Sequence, residues 1–335
     1  MSIITPLGRT AGCLPVYLTV DVGPANAIMG DGHVRAPSWE MTFKGLDALR
    51  KAIPLLEERT QRSIPITWFV RADRFVEQQF GDCLAVVNRF MDKMDGLMVG
   101  GHELGWMPQL PSGGTDKIQH EDLEAGYQRF REILPNLKSV RMGDCYHDND
   151  SMQLLNMLGI RFDSSALPGR EKHDGGWCMD WRKSPQFAYY PSCNDYSVPG
   201  SPQMTILEIP LSVAPILAPY DSKPLLRYVN PCYLENIWDA GLSELISTAP
   251  YLVCILHPDE LVERATPGHP LIAYSCDTFI SNIIRFLSRS AGFGRAVCFH
   301  AIRDFNSVSR VGEPFLELGH SLSNKKVKSD VTPFL

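Results

Sequence analysis

The chain has 335 residues, of which 44% are hydrophobic and 21% charged, a composition typical of a globular protein. Lysine and arginine total 32 against 38 aspartates and glutamates, and the resulting net charge of −6 argues against nucleic acid as a partner. No apolar run approaches the roughly 18 residues of a membrane span, and the N-terminus lacks the plan of a secretion signal. We therefore expect a soluble, cytoplasmic protein with no membrane partner.

The nine cysteines are odd in number and include no C-x-x-C pair. This spacing argues against both a disulfide framework and a zinc knuckle. Cys254 and Cys298 lie inside apolar runs, where a free thiol behaves as a small hydrophobic side chain. The cysteine pattern thus favours a reducing compartment.

Short β-branched or aromatic runs alternate along the chain with segments whose apolar residues have helical spacing. The predicted strands are 16–20, 65–70, 97–102, 139–141, 160–163, 205–211, 251–257 and 296–300. The predicted helices are 44–59, 84–94, 121–134, 150–158, 234–247 and 278–288. This alternation indicates βαβ units with a mainly parallel sheet, and the number of strands predicts a barrel-like (β/α) fold of seven or eight units.

One domain over residues 1–335 accounts for this pattern, because neither an internal repeat nor a low-complexity linker interrupts it. Residues 166–202 have little periodicity and many Gly, Pro and aromatic residues, so they are predicted to form an irregular insertion near a site. The polar tail from Ser321 is expected to be loose.

Ionisable residues follow strand after strand, and in (β/α) barrels such strand ends form the active site. These residues are Asp21, Arg71, His102, Glu103, Arg141, Asp144, Asp163, Glu208, His257 and His300.

Several segments, most of which contain these residues, are similar in sequence and in order to the motifs of a known family. They are Thr19–Pro24, Thr67–Val70, Gly101–Trp106, Arg141–Asp144, Leu154–Ser165, Glu208–Pro210 and Leu256–Glu260. In this order they resemble the polysaccharide deacetylase family, also called the NodB-homology or carbohydrate esterase family 4 domain. The resemblance extends from about Val16 to His257, and it implies a distorted (β/α) barrel of the polysaccharide deacetylase type.

The resemblance also implies a chemistry. Members of this family hydrolyse the N-acetyl group of an amino sugar, with a divalent metal that polarises the carbonyl and activates water. By position, Asp21 would be the base and His257 the acid, while Arg141 with Asp144 would orient or tune them.

The sequence departs from the family at the metal ligands. The second aspartate of the D-D pair is Val22, and a D-x-D spacing would find Gly23. The expected histidines are replaced by Met107 and by either Gln109 or Pro111. Because these residues cannot replace the usual ligands, except weakly Gln109, we predict no metal or other cofactor.

Three functional interpretations remain open. The first is a metal-independent enzyme acting on an amide-bearing or sugar-like small molecule, by C–N hydrolysis or by a repurposed isomerisation, elimination or cyclisation. The second is a non-catalytic pseudo-deacetylase that binds a glycan or a partner. The third is a deacetylase with a relocated metal held by Asp21, His102, His257 and His300.

The candidate site follows from these interpretations. The predicted catalytic residues are Asp21, His257, Arg141, Asp144 and His102. The predicted substrate-binding residues are Glu103, Trp106, Trp68, Arg71 and His300. Homodimer formation is left open by the sequence.

Overall fold

The computed structural model describes residues 13–25, 38–98, 100–110, 116–174, 177–265 and 268–305. The predicted loose tail from Ser321 and the alternative ligand position Pro111 lie outside these ranges. Among the described residues, no helix is both long and apolar enough to cross a bilayer.

A curled, eight-stranded parallel sheet forms the centre of the molecule. Its strands are β1 (Leu14–Val22), β2 (Ile66–Arg71), β3 (Glu103–Met107), β4 (Ser139–Val140), β5 (Phe162–Asp163), β8 (Leu207–Glu208), β11 (Leu252–Leu256) and β12 (Val297–Phe299). They follow the order β11-β1-β2-β3-β4-β5-β8, and β12 also pairs with β1. The predicted parallel, barrel-like (β/α) architecture is confirmed by this arrangement.

Seven helices connect the strands of the described chain. They are α1 (Trp39–Thr60), α2 (Arg74–Phe80), α3 (Ala85–Met98), α4 (Asp116–Ile133), α5 (Asn149–Met157), α6 (Glu235–Thr248) and α7 (Cys276–Gly292). In α1 the predicted apolar stripe is buried, including Leu46, Leu49, Ile53 and Leu56. The apolar residues at helical spacing thus form the face of the helix that packs on the sheet.

Two antiparallel hairpins lie outside the central sheet. One pairs β6 (Glu171–Asp174) with β7 (Trp177–Asp180), and the other pairs β9 (Val213–Ile216) with β10 (Leu225–Tyr228). The first hairpin lies within residues 166–202, so this segment is less irregular than predicted. The predicted strand 205–211 is reduced to two residues, β8.

The third predicted strand was misplaced by several residues. Residues 97 and 98 belong to α3, Gly101 adopts a positive φ of 90°, and β3 begins only at Glu103. A left-handed glycine ends the connection after α3 and lets the chain enter the sheet. His102 and Glu103 therefore lie at the beginning of the strand rather than at its end.

Helix α2 was missed because it is short and largely polar. Asp73 begins it as an N-cap, and its side chain accepts a hydrogen bond from the backbone N–H of Val76 at 3.1 Å. The helix follows β2 directly, so it lies beside the end of that strand.

A disulfide joins Cys13 and Cys298, with their Cα atoms 5.9 Å apart. The two cysteines are separated by 285 residues in sequence, but β1 and β12 are neighbours with Pro15 opposite Cys298. The expectation of free thiols throughout was therefore wrong for this pair, because strand pairing brought them together. The other seven cysteines are free.

Candidate active site

A cavity of about 450 Å³ opens at the C-terminal ends of the parallel strands. Its walls come from the segments after β1, β2, β3, β4 and β11, together with α2. The lining residues are Asp21, Gly23, Pro24, Arg71, Arg74, Phe75, Gln78, Met107, Gln109, Leu110, Gly143, Asp144 and His257. Four of the ten predicted site residues, Asp21, Arg71, Asp144 and His257, are thus brought to one cavity.

Arg141 is completely buried beneath this cavity and holds Asp21. Its Nη1 donates to Asp21 Oδ1 and to Thr19 Oγ1, both at 2.7 Å. Its Nε and Nη2 donate to the carbonyl and hydroxyl oxygens of Ser164 at 2.7 and 2.9 Å, and the guanidinium lies over the Phe69 ring. This fixed fork orients the Asp21 carboxylate by a charge-assisted hydrogen bond. Arg141 does not line the cavity itself, so it acts through Asp21.

His257 stands at the end of β11 with 39% of its side chain exposed. Its Nδ1 is 3.3 Å from Glu260 Oε1, while Glu260 Oε2 accepts the His257 backbone N–H at 2.9 Å and the Asn230 side-chain N–H at 2.8 Å. Burial disfavours the charged imidazolium, but Glu260, Asp21 and Asp259 more than offset it and raise the pKa of His257 to about 9. The imidazole is therefore protonated at neutral pH.

Helix α1 packs directly on the turn that carries His257. A Cβ at Gly45 would lie 1.9 Å from the Pro258 carbonyl oxygen, so only glycine permits this approach. From the same helix, Thr42 Oγ1 donates to the Gly23 carbonyl at 2.7 Å. One helix thus supports the loop after Asp21 and the turn after His257.

Asp144 lies at the cavity edge in an unusual backbone conformation. Asp144 and Cys145 both have positive φ, at 54° and 56°. The Asp144 Oδ2 accepts a hydrogen bond from Gln109 Nε2 at 2.5 Å, and a Cβ on Gly143 would lie 2.8 Å from Gln109 Cβ. Strained residues of this kind concentrate at functional sites, where surrounding contacts hold them. Among the described contacts Asp144 has no ion pair with Arg141, whereas Arg141 binds Asp21 directly.

His102 and Glu103 lie away from the cavity, which corrects their predicted place in the site. The ring of His102 is buried at the start of β3, its Nδ1 accepts the Ile66 N–H at 3.1 Å, and burial lowers its pKa. Glu103 accepts hydrogen bonds from Thr67 Oγ1, Ser139 Oγ and the Arg303 backbone N–H at 2.9, 2.5 and 2.8 Å. Both side chains tie strands together at the N-terminal end of the sheet.

His300 is also far from the predicted site. Its backbone N–H donates to the Val16 carbonyl at 3.0 Å, and its ring packs near Tyr17. Since Val16 lies near the beginning of β1 and Asp21 near its end, His300 belongs to the end of the sheet opposite the cavity. The four ligands of the relocated-metal interpretation, Asp21, His102, His257 and His300, therefore do not converge.

Trp68 and Trp106 are core residues rather than substrate contacts. Both are completely buried; Trp68 packs on Phe90 of α3, and Trp106 packs on Tyr127 and Phe130 of α4. Side chains alternate between the two faces of a strand, so Trp68 points opposite to Arg71 and Trp106 opposite to Met107. This alternation can be read from the sequence, and it would have shown that both tryptophans face away from the predicted site.

The described residues of the cavity do not fit the divalent metal that the family resemblance implies. Val22 is completely buried, Met107 offers a thioether, and Gln109, whose Nε2 donates to Asp144, offers only the weakly ligating oxygen of an amide. Over the part of the chain that the structure describes, three His, Cys, Asp or Glu donor atoms come within 4.8 Å of one another only in Glu171, His173 and Cys178 of the β6–β7 hairpin. None of those three residues lines the cavity. The ionisable groups that the described chain itself brings to the cavity are those of Asp21, Asp144 and His257, with Arg71 and Arg74.

Asp163 and Glu208, also noted at strand ends, form a separate buried network. Asp163 lies 2.9 Å from His147 Nε2 and accepts from Ser165 Oγ at 2.6 Å. Burial and the neighbouring Asp163 carboxylate raise the pKa of Glu208 well above its ordinary value. Neither carboxyl group lines the cavity. Asp163 holds the Ser165 hydroxyl, which accepts the Met142 backbone N–H at 2.8 Å, and Glu208 accepts the Ala166 backbone N–H at 2.9 Å.

Sequence reasoning missed several residues that build the site. Glu260 was part of the Leu256–Glu260 motif, and its spacing of three from His257 was a usable signal. Thr19, two residues before Asp21, shares its strand face. Arg74, Phe75 and Gln78 could not be found without recognising α2.

Comparison with known proteins identifies the fold. No protein-family model and no curated protein matches the chain. Three solved structures that resemble it carry provisional names. A glycoside hydrolase/deacetylase from Parabacteroides distasonis has a TM-score of 0.58 and 12% identity over 87% of this chain and 69% of its own. A polysaccharide deacetylase from Mycobacterium smegmatis has a TM-score of 0.51 and 14% identity over 91% of both chains. A polysaccharide deacetylase from Pseudomonas aeruginosa has a TM-score of 0.51 and 11% identity over 88% and 89%.

At such low identity the likeness concerns the fold, and it agrees with the order of the motifs in the sequence. The protein has the curled (β/α) barrel fold of the polysaccharide deacetylases.

Proposed function

We propose that the protein is a hydrolase that cleaves the C–N bond of an N-acylated, sugar-like small molecule without a metal ion. The observation that carries this proposal is the position of Asp21 and His257 on one cavity, each with its own supporting partner. An amide hydrolase needs a group that takes a proton from water and a group that gives one to the departing nitrogen. The two side chains supply these opposite roles.

In the proposed mechanism, Asp21 accepts a proton from water while the water oxygen attacks the carbonyl carbon. The protonated His257 offsets the negative charge that develops on the carbonyl oxygen. The C–N bond then breaks as His257 donates its proton to the nitrogen, and the products are a carboxylic acid and an amine. The proton held by Asp21 returns to His257 through solvent, which restores both groups.

Arg141 and Glu260 are positioning residues in this scheme. Arg141 binds one oxygen of Asp21, and the other oxygen, which has no partner among the described residues, is the one that accepts a proton. Glu260 binds His257 Nδ1, so Nε2 is the nitrogen that can donate to a substrate.

The test measures amine and carboxylic acid release from a panel of N-acetylated and N-formylated amino sugars. We expect turnover by the wild type, and a fall of about 10²- to 10⁴-fold in Asp21→Asn and His257→Gln, because each removes one proton-transfer group. His300→Gln, at the opposite end of the sheet, is the matched control and should keep wild-type turnover. Dialysis against a chelator should leave the rate unchanged.

Two results would overturn the proposal. Full activity in both Asp21→Asn and His257→Gln would remove the assigned acid and base. Activity that disappears with the chelator and returns with added zinc, cobalt or nickel would show that a metal is required.

A second candidate is a domain that binds a sugar-like ligand without turning it over. The observation that favours it is the loss of the family's metal ligands at Val22 and Met107. It predicts that the wild type binds members of the panel but releases no amine from any of them, and that Asp21→Asn does not weaken binding.

A further inference from the structure

One wall of the cavity is rich in cationic groups that the proposed mechanism does not use. Arg71, at the end of β2, and Arg74, Phe75 and Gln78, in the helix that follows, all line the cavity. Arg74 and Gln78 are four residues apart, so they lie on one face of α2. This wall offers two guanidinium groups and an amide to whatever the cavity binds.

Arg71 is held rigidly although it faces a cavity. It is 9% exposed, its Nε donates to Asp73 Oδ2 at 2.6 Å, and its guanidinium lies 4.5 Å from the centre of the Phe75 ring. Asp73 is fixed in turn, because it also accepts the backbone N–H groups of Val76 and Gln109 at 3.1 and 3.2 Å. The direction of the guanidinium is therefore set before any ligand arrives.

The two outer nitrogens of Arg71, Nη1 and Nη2, can still donate hydrogen bonds. Within the described ranges, neither Nη1 nor Nη2 has a protein acceptor, and the one ion pair of Arg71 uses Nε. Both nitrogens keep access to solvent, so they face the open space of the cavity rather than the protein interior. A side chain that is nine-tenths buried, rigid and unpartnered on its cavity side is suited to receive an acceptor from a ligand.

Arg74 extends the same wall toward solvent. Its side chain is 56% exposed and its Nη1 lies 3.5 Å from Asp122, a loose contact. Its other side-chain nitrogens have no partner in the described part of the chain. Guanidinium groups suit the chemistry of a carboxylate or a phosphate, which accept several N–H groups at once, and this wall has one buried guanidinium and one at the rim.

The carboxylates of the cavity do not neutralise the positive charge of this wall, because each has another partner. Asp21 comes from β1 and is bonded to Arg141, while Asp144 follows β4 and accepts from Gln109. Asp73, the carboxylate nearest in sequence, is already bonded to Arg71 Nε and does not line the cavity.

We propose that Arg71 and Arg74 form an anion subsite, and that the substrate carries a carboxylate or phosphate group in addition to its acylated amino group. This inference rests on the proposed function for the position of the acyl group at Asp21 and His257, while the arginine wall defines the acidic end of the same molecule.

The experiment compares three probes that share one N-acetylated sugar: N-acetylglucosamine, its 6-phosphate, and N-acetylmuramic acid, which adds a carboxylate. Binding to the full-length chain is measured by isothermal titration calorimetry. We expect at least one anionic probe to bind about tenfold or more tightly than the neutral sugar, as charge-assisted hydrogen bonds require. The two anionic arms separate a phosphate from a carboxylate preference.

Substitutions in the arginine wall test whether it causes the preference for anionic probes. Arg71→Gln and Arg74→Gln should each remove most of it, and Arg74→Gln, at an exposed position, should not affect folding. Arg89→Gln is the matched control, because Arg89 is an exposed arginine stacked on Phe43 and Phe80 outside the cavity. The control should keep the wild-type preference.

The inference is overturned if neither anionic probe binds more tightly than the neutral sugar, or if the preference survives in Arg71→Gln and Arg74→Gln together. Its failure is distinguishable from failure of the proposed function. Amine release without any anion preference removes only the subsite, whereas an anion preference that persists in an inactive wild type removes only the hydrolysis.

Discussion

Both ends of the parallel sheet carry a cluster of polar side chains. The two clusters differ in the fraction of their hydrogen-bonding groups that already have a partner within the protein. At the N-terminal end, Glu103 accepts three hydrogen bonds and the His102 Nδ1 accepts one from the backbone. At the C-terminal end, His257 is partly exposed, and among the described residues one oxygen of Asp21 and the outer nitrogens of Arg71 have no protein partner. Polar residues of the first kind stabilise a fold, and those of the second kind are available to a ligand.

This contrast has a topological origin. The C-terminal ends of parallel strands are followed by loops whose lengths vary, and these loops leave a cavity. The opposite end is covered by the segment after β12, where Ile302 N–H donates to Thr67 Oγ1 and Arg303 Nη2 to the Gly101 carbonyl. The disulfide of Cys13 with Cys298 also lies at this covered end.

The strongest way to break the contrast is to disturb Arg141, because it belongs both to the buried structure and to the site. In Arg141→Met we expect the free energy of unfolding to fall by about 3–5 kcal/mol, since a buried charge pair loses one partner. Arg141→Lys keeps the charge without the fork, so its turnover should fall by about 10²-fold through misplacement of Asp21. Urea denaturation and steady-state kinetics measure the two effects, and a fully active, fully stable Arg141→Met would contradict the positioning role.

At the N-terminal end, Glu103→Ala should affect stability alone. The hydroxyls of Thr67 and Ser139 and the N–H of Arg303 would lose their acceptor, which costs about 1–3 kcal/mol of unfolding free energy. The turnover number of the folded fraction should equal that of the wild type. Glu103→Gln retains one acceptor oxygen and serves as the milder control; loss of turnover without loss of stability would place Glu103 in the mechanism after all.

The pH dependence of the rate sharpens the assignment at the cavity end. The pKa of His257 is about 9 in the folded protein, above the ordinary value of about 6.5. Because the acid must be protonated, kcat/KM should fall as the pH rises through about 9. The same shift means that His257 stabilises the fold fully below about pH 6.5, and that this stabilisation is lost as the pH rises through about 9.

Glu260→Gln provides the comparison for this pH profile. Removing the carboxylate beside Nδ1 removes a cause of the raised pKa, so the alkaline limb of kcat/KM should move to lower pH. An alkaline limb that stays near pH 9 in this variant would show that another group controls the rate.

Sequence reasoning placed Asp21, Arg71, Asp144 and His257 on one cavity because each follows a strand whose apolar run has a clear end. It misplaced His102 and Glu103 because Leu97 and Met98 fit both the end of a helix and the start of a strand. Short apolar runs have this ambiguity, and it moved the polar residues to the wrong end of β3. It assigned the tryptophans to the site because residue type was weighed without the alternation of strand faces.

The sequence by itself determined the alternating fold and the order of the motifs, since these depend on local periodicity and on residue identity. Only the tertiary structure decided that Arg141 binds Asp21 and that Glu260 raises the pKa of His257. It also decided that Cys13 forms a disulfide with Cys298 and that an arginine wall faces the cavity. Three of these four pair segments far apart in the chain or depend on a short helix without a hydrophobic signature. Such contacts are selected by the register and curvature of the whole sheet, which no local pattern records.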